Sequence, residues 1–203
     1  MGRNLSKADV LVYRVGGRRI AVKDYSARPF LARHTVGRVL TGRECRAYEC
    51  AGAAAGLASF LGRLGPVTMA TAWIDAVPLS DLPQAAATPA LFDRLDAVVA
   101  GLHDRGIAMS DLHHRDVLVS EDGGVHVVDL AMAYVLGPRP GWIRRLLFER
   151  LSAQDLLSAA RMRARFTGRS EDEALAALDP ATLRRWKAGR RVKGFWDRLR
   201  GGN

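Results

Sequence analysis

Asp111, Asp116 and Asp129 stand around two short apolar runs in the stretch SDLHHRDVLVSEDGGVHVVDLA, residues 110–131. Carboxylates hold hard cations such as Mg²⁺ and accept protons from hydroxyl groups. The runs VLVS (117–120) and VHVVDL (125–130) are rich in branched residues, and Glu121-Asp122-Gly123-Gly124 between them is a turn sequence. A β-hairpin is expected. Antiparallel pairing sets the start of one strand beside the end of the other. Asp116, where the first strand begins, should therefore converge on Asp129, expected to end the second. Asp111 lies on the adjoining loop. Carboxylates gathered in this way repel unless a cation or proton sits between them. Mg²⁺ fits such an oxygen-only set and usually takes phosphate oxygens as well. Acids that merely cap surface turns are the competing reading.

The elements that must position these acids are legible along the chain. VLVYRV (10–15), Gly16-Gly17 and RRIAVKDY form a first hairpin. TGRECRAYECAGAAAGLASFL (41–61) reads as a helix in its first half, starting near Thr41 and loosening at the glycines. GPVTMATAWI (65–74) reads as a strand, and DAVPLSDLPQAAA as a linker between lobes. TPALFDRLDAVVAGLHDRG is the clearest helix. Thr88 caps it, Pro89 suits its first turn, and Leu91, Leu95, Val98, Val99 and Leu102 share a face. Gly106 ends it. Beyond Pro140 the pattern is helical through WIRRLLFERL, SAQDLLSAARMRARF and SEDEALAAL. The expected fold class is α+β in two lobes. Residues 1–75 make a small β-rich lobe with one helix, and residues 76–203 a mostly helical lobe carrying the second hairpin.

Composition narrows the class further. At 203 residues with 48% hydrophobic and 26% charged content, the chain is long enough for a real core and reads as soluble and globular. Cys45 and Cys50 have no repeating spacing, which argues against a disulfide scaffold or a four-ligand zinc site. No apolar run is long enough to span a bilayer, and the N-terminus lacks the apolar core of a signal peptide, so a cytoplasmic location is expected. The net charge of +10 is unevenly placed: residues 1–137 hold 15 basic and 14 acidic residues, residues 138–203 hold 16 and 7. LRRWKAGRRVKGFWDRLRGG (183–202) mixes these bases with Trp186, Phe195 and Trp196. That mixture suits an anionic membrane surface or glycolipid. It also suits nucleic acid, or simple packing of the aromatics on the second lobe.

The acid-bearing stretch resembles the catalytic loop and metal-binding segment of the protein-kinase-like superfamily, H-x-D-L-x-x-x-N followed by D-F-G. Here it reads Met109-Ser110-Asp111-Leu112-His113-His114-Arg115-Asp116, then Asp129-Leu130-Ala131. Ile20-Ala21-Val22-Lys23 is similar to V-A-I-K, Glu44 falls where the partner of that lysine belongs, and Trp73-Ile74-Asp75 falls at the adenine-binding hinge. The resemblance covers roughly residues 10 to 135. Within the superfamily the short chain looks most like compact bacterial kinases of lipopolysaccharide core sugars and their RIO-like relatives. It implies ATP and Mg²⁺ as cofactors. Lys23 would hold the α/β-phosphates and Glu44 would orient it. Asp111 would position the acceptor hydroxyl, Asp129 and Asp116 would bind Mg²⁺, Trp73 and Ile74 would flank adenine, and His113 would face phosphate.

Three departures accompany the resemblance. MGRNLSKAD, ahead of the first strand, holds a single glycine, so no glycine-rich loop is visible. Met109 replaces the usual His and loses a structural hydrogen bond. Asp116 replaces Asn and adds negative charge near the γ-phosphate. The resemblance therefore implies phosphoryl transfer to a hydroxyl of a lipopolysaccharide core sugar or related glycolipid. Its alternatives are a protein serine/threonine kinase of RIO-like type and a catalytically weak nucleotide-binding pseudokinase scaffold.

Overall fold

The structure is a computed structural model that describes residues 7–176 and 178–184. It opens with the expected hairpin. β1 (Asp9–Val15) and β2 (Arg18–Asp24) pair antiparallel with Val10 opposite Lys23. Gly16 and Gly17 turn between them at φ of 56° and 79°, which L side chains rarely adopt. β3 (Phe60–Gly65) and β4 (Thr68–Ala72) complete a four-stranded sheet in the order β1-β2-β4-β3.

The sequence reading assigns no strand at β3, whose first residues fall in the loosened second half of the 41–61 stretch and whose last, Gly65, is placed in the following strand. Gly62, at φ 135°, and two register irregularities against β4 explain why no clean alternation marks this strand. The helix before it also begins earlier than expected. α1 (Phe30–Ala32) follows Pro29 and passes through a π-helical turn (Arg33–Gly37) into α2 (Arg38–Ala51). Thr41 is thus no helix start but a buried residue within the helix, on the face shared by Glu44, Cys45 and Tyr48. The polar residues 33–35 disguised the first turns. Gly37 passes so close to Tyr25 that a Cβ there would lie 2.9 Å from the Tyr25 Cβ.

Most of the presumed linker is ordered structure. β5 (Ala76–Pro78) pairs with β7 (Val117–Ser120), which pairs with β8 (Val125–Val127), and short 3₁₀ turns follow at Leu79–Asp81 and Gln84–Ala86. α3 (Pro89–Asp104) matches the reading of its sequence: Thr88 Oγ1 accepts from Leu91 N at 3.4 Å, and the five apolar residues named above are buried. Gly106 follows it at φ 73°. β6 (Ile107–Ala108) pairs with β9 (Tyr134–Val135). The three helical patterns beyond Pro140 resolve into α4 (Trp142–Thr167), continuous for 26 residues, and the short α5 (Glu171–Ala176).

One apolar core joins these parts. It runs from Cys45, Tyr48 and Met69 through Leu91, Phe92, Leu95 and Leu102 to Val117, Val127 and Leu130. Gly56 docks the α2–β3 connection onto it. Its carbonyl accepts from Val127 N at 2.8 Å, and an added Cβ would fall 2.3 Å from Val98. Among the described residues no helix is long and apolar enough to cross a membrane.

Candidate active site

The site forms where the four-stranded sheet faces the β7–β8 hairpin. Lys23 lies near the end of β2, and its side chain is held by two acids from distant parts of the chain. Nζ is 3.0 and 2.8 Å from the two Glu44 oxygens and 2.7 Å from Asp129 Oδ1. Burial pushes the Lys23 pKa down, but the charges and hydrogen bonds of Glu44 and Asp129 outweigh it, and the net shift is upward. Lys23 therefore stays a cation at neutral pH. Glu44 is buried on the inner face of α2. A buried acid there is tolerable because Lys23 neutralises it.

Asp129 does not end a strand. β8 stops at Val127, and Asp129 sits two residues on with φ 66°. That left-handed backbone turns Leu130 fully into the core while Asp129 Oδ1 accepts from Ala131 N at 3.3 Å. Convergence with Asp116 survives the shorter strand, because Val128 N donates to Asp116 O at 2.8 Å. Burial, then the negative charges of Asp129 and Asp111, push the Asp116 carboxyl up to about 6. Asp116 thus feels both of the other acids named from sequence. Lys23 and Lys7 oppose them with positive charge at Asp116. Lys7, just ahead of β1, was not singled out from the sequence, because a lone lysine in a polar segment carries no pattern.

A cavity of about 370 Å³ opens beside these groups. Lys23, Glu44, Asp116, Asp129, Trp73 and Ile74 line it, with Val10, Ala21, Met69 and Leu118 as apolar walls. A mostly apolar cleft with a few converging charges is the usual form of a small-molecule site. Trp73 is anchored at its mouth: its backbone N–H donates to Arg19 O at 3.1 Å and its indole N–H to Asp75 Oδ1 at 3.0 Å. Asp111 and His113 do not line the cavity. Asp111 is exposed on its loop. His113 lies tilted against His114 with ring centroids 3.8 Å apart, and its Nδ1 accepts from Arg115 N at 3.3 Å.

The loop before Asp111 is held by a residue that sequence reasoning missed. Asp155, fully buried in α4, accepts from Met109 N at 2.7 Å and Ser110 N at 2.8 Å, and His103 Nε2 lies 3.0 Å from it. Ser110 is thereby held at φ 70°. His103 reaches this carboxyl group from α3, so three elements of the chain meet at Asp155. The aspartate lies within a long helix of mixed pattern, where its burial shows only in three dimensions.

Among the described residues no group of three His, Cys, Asp or Glu side chains could by itself hold a metal ion. Two converging carboxylates, Asp116 and Asp129, still suit Mg²⁺, which binds through one or two carboxylates and completes its shell with water and phosphate oxygens. A consequence is testable without nucleotide. An acid whose folded pKa is raised, here from 3.8 to about 6, contributes stability that is fully present below pH 3.8 and lost as pH rises through 6. Asp116→Asn should therefore gain stability relative to wild type between pH 4 and pH 7, by about 2 kcal/mol. Urea unfolding of both proteins across that range measures it. Parallel pH curves would show that Asp116 is not squeezed by its neighbours.

No protein-family model matches the sequence, and no curated protein matches it. Solved structures do. The Rio2 kinase of Chaetomium thermophilum, in an ADP/Mg²⁺-phosphoaspartate complex, superposes with a TM-score of 0.61 at 12% identity, over 93% of this chain and 68% of that one. At that identity the likeness is one of architecture: the chain has a protein-kinase-like fold, with a β-sheet N-terminal part and a mostly helical C-terminal part, similar to that of a RIO kinase.

Proposed function

We propose that the protein is an ATP-dependent phosphotransferase that uses Mg²⁺. The observation that carries this reading is Lys23 held between Glu44 and Asp129 on the wall of the cavity, with Asp116 beside them. Lys23 binds the α/β-phosphates and Glu44 keeps it extended toward them. Trp73 and Ile74 border the adenine. Asp129, with Asp116, holds Mg²⁺, which when bound offsets the charge of the β/γ-phosphates. Binding ATP requires Asp129 to exchange its contact with Lys23 for the ion. Asp111 orients the acceptor hydroxyl and takes its proton, and His113 assists from the loop surface. The division into lobes falls after residue 75, a placement supported by β5 joining the β7–β8 hairpin from Ala76 onward.

The acceptor in this reading is a lipopolysaccharide core sugar or related glycolipid at the cytoplasmic membrane face. Its support is the excess of 16 basic over 7 acidic residues in 138–203. Of the tail, Lys187, Arg190, Arg191, Lys193, Arg198 and Arg200 lie outside the described residues, as do Trp186, Phe195 and Trp196. A second reading, a RIO-like kinase or ATPase acting on protein or beside nucleic acid, is favoured by the likeness to a Rio2 kinase.

Saturating Mg-ATP should raise the melting temperature by about 5–10 °C, because ligand binds only the folded state. Lys23→Met should abolish most of that rise. No shift at millimolar ATP would remove both the enzyme and the nucleotide-scaffold readings.

A further inference from the structure

The first turns of α4 carry apolar side chains that the core does not use. Trp142, Ile143, Leu146 and Leu147 are 75%, 61%, 61% and 40% exposed, whereas the same helix buries Ala153, Asp155 and Leu157 further on. At about 100° per residue these four fall within one arc of about 140°. Phe148 points elsewhere, its ring meeting that of His103 edge-on at 6.2 Å. The arc is the N-terminal continuation of the stripe that buries Ala153, Leu157, Ala160 and Ala164, extended past the core so that its first two turns stand exposed.

Its surroundings are basic. From residue 138 to 150 the chain holds Arg139, Arg144, Arg145 and Arg150 against one acid, Glu149. Arg144 donates to Val135 O at 3.1 Å and Arg145 to Pro140 O at 3.3 Å, which fixes both beside the arc while they remain exposed. A tryptophan and aliphatics rimmed by arginines match the layering of a bilayer interface, acyl chains beneath anionic headgroups. A second copy of this chain fits poorly, because a two-fold contact would set the same arginines against themselves.

We propose that this face of α4 docks on the surface of an anionic phospholipid bilayer. The contact is distinct from the C-terminal tail. It is also tied to the catalytic loop: Tyr134 Oη donates to Arg144 O at 3.5 Å, and β9, which holds Tyr134, pairs with β6, which leads into Met109 and Asp111. Docking here anchors the molecule through the segment that joins the acid cluster to α4.

The test is sedimentation of the full chain with phosphatidylcholine vesicles containing one quarter phosphatidylglycerol, against pure phosphatidylcholine, without nucleotide. Binding should favour the anionic vesicles and weaken with salt. Trp142→Ser/Leu146→Ser and Arg139→Glu/Arg145→Glu should each reduce it at least about tenfold. Arg190→Glu/Arg191→Glu, in the tail, should retain a contact that the α4 variants lose. The altered side chains are exposed, so unchanged melting temperatures should accompany the losses. Wild-type binding by both α4 variants, loss in the tail variant alone, no vesicle binding at all, or a dimer that Leu146→Ser dissociates would each overturn the proposal. ATP and Mg²⁺ play no part, so failure here leaves the phosphotransfer reading intact.

Discussion

Asp111→Asn is expected to lower phosphoryl transfer by about 10²- to 10⁴-fold while ATP affinity stays within a few fold of wild type. The asymmetry follows from position. Asp111 does not line the cavity and is exposed on its loop, so the amide leaves Lys23, Glu44, Asp116 and Asp129 in place. What it removes, in the proposed reading, is the group that accepts the hydroxyl proton. Asp129→Asn should behave differently. Asp129 lines the cavity and contacts Lys23 at 2.7 Å, so its loss weakens the ion and the phosphate site together, and binding falls with turnover. Asp116→Asn keeps an oxygen ligand and removes one negative charge. It should preserve Mg²⁺ binding and raise the rate if repulsion at the γ-phosphate limits the wild type. ATP affinity and phosphate transfer to crude glycolipid and to protein acceptors, measured for all three, decide the matter. Unchanged transfer in Asp111→Asn would mean that the catalytic loop has been misassigned. Intact binding without transfer in wild type and in Asp116→Asn would favour the scaffold.

Asp155→Ala should be the most destabilising of these substitutions, at about 3–5 kcal/mol, because it strands buried partners of a buried charge. The Met109 and Ser110 amides and His103 all point at its carboxylate, and Met109 is itself buried, so water cannot readily replace it. The melting temperature should fall by about 10 °C. Asp155→Asn is the sharper probe of positioning. Its single carbonyl oxygen can serve one amide while its NH₂ faces the other, so Ser110 loses the contact that sustains its φ of 70°. Transfer should then fall well beyond any change in KM for ATP, because Asp111 is the next residue. A Tm near wild type with undiminished kcat would show that the anchor does not position the loop.

Local physics made much of this protein legible from its sequence. Thr88, Pro89 and the spacing from Leu91 to Leu102 define α3, because a cap, a fixed φ and a 3.6-residue period are properties of adjacent residues. Gly16-Gly17 sets the first hairpin by the same logic, and its register leaves Lys23 opposite Val10 near the strand end. The β7–β8 pairing that draws Asp116 toward Asp129 followed from two short runs and a turn. Tertiary structure decided the rest. The start of the α1–α2 helix depended on Tyr25 and the sheet accommodating Gly37, and β3 on its bulged pairing with β4. Asp129 left the strand for φ 66° because Leu130 is drawn into a core assembled from α2, α3 and β8. Asp155 became an anchor, and Trp142 to Leu147 an outer face, only once α4 had packed across α3 and β6. Helical periodicity marks an apolar residue or an acid, but whether that side chain meets the core, a backbone amide or solvent is set by contacts between residues far apart in the chain.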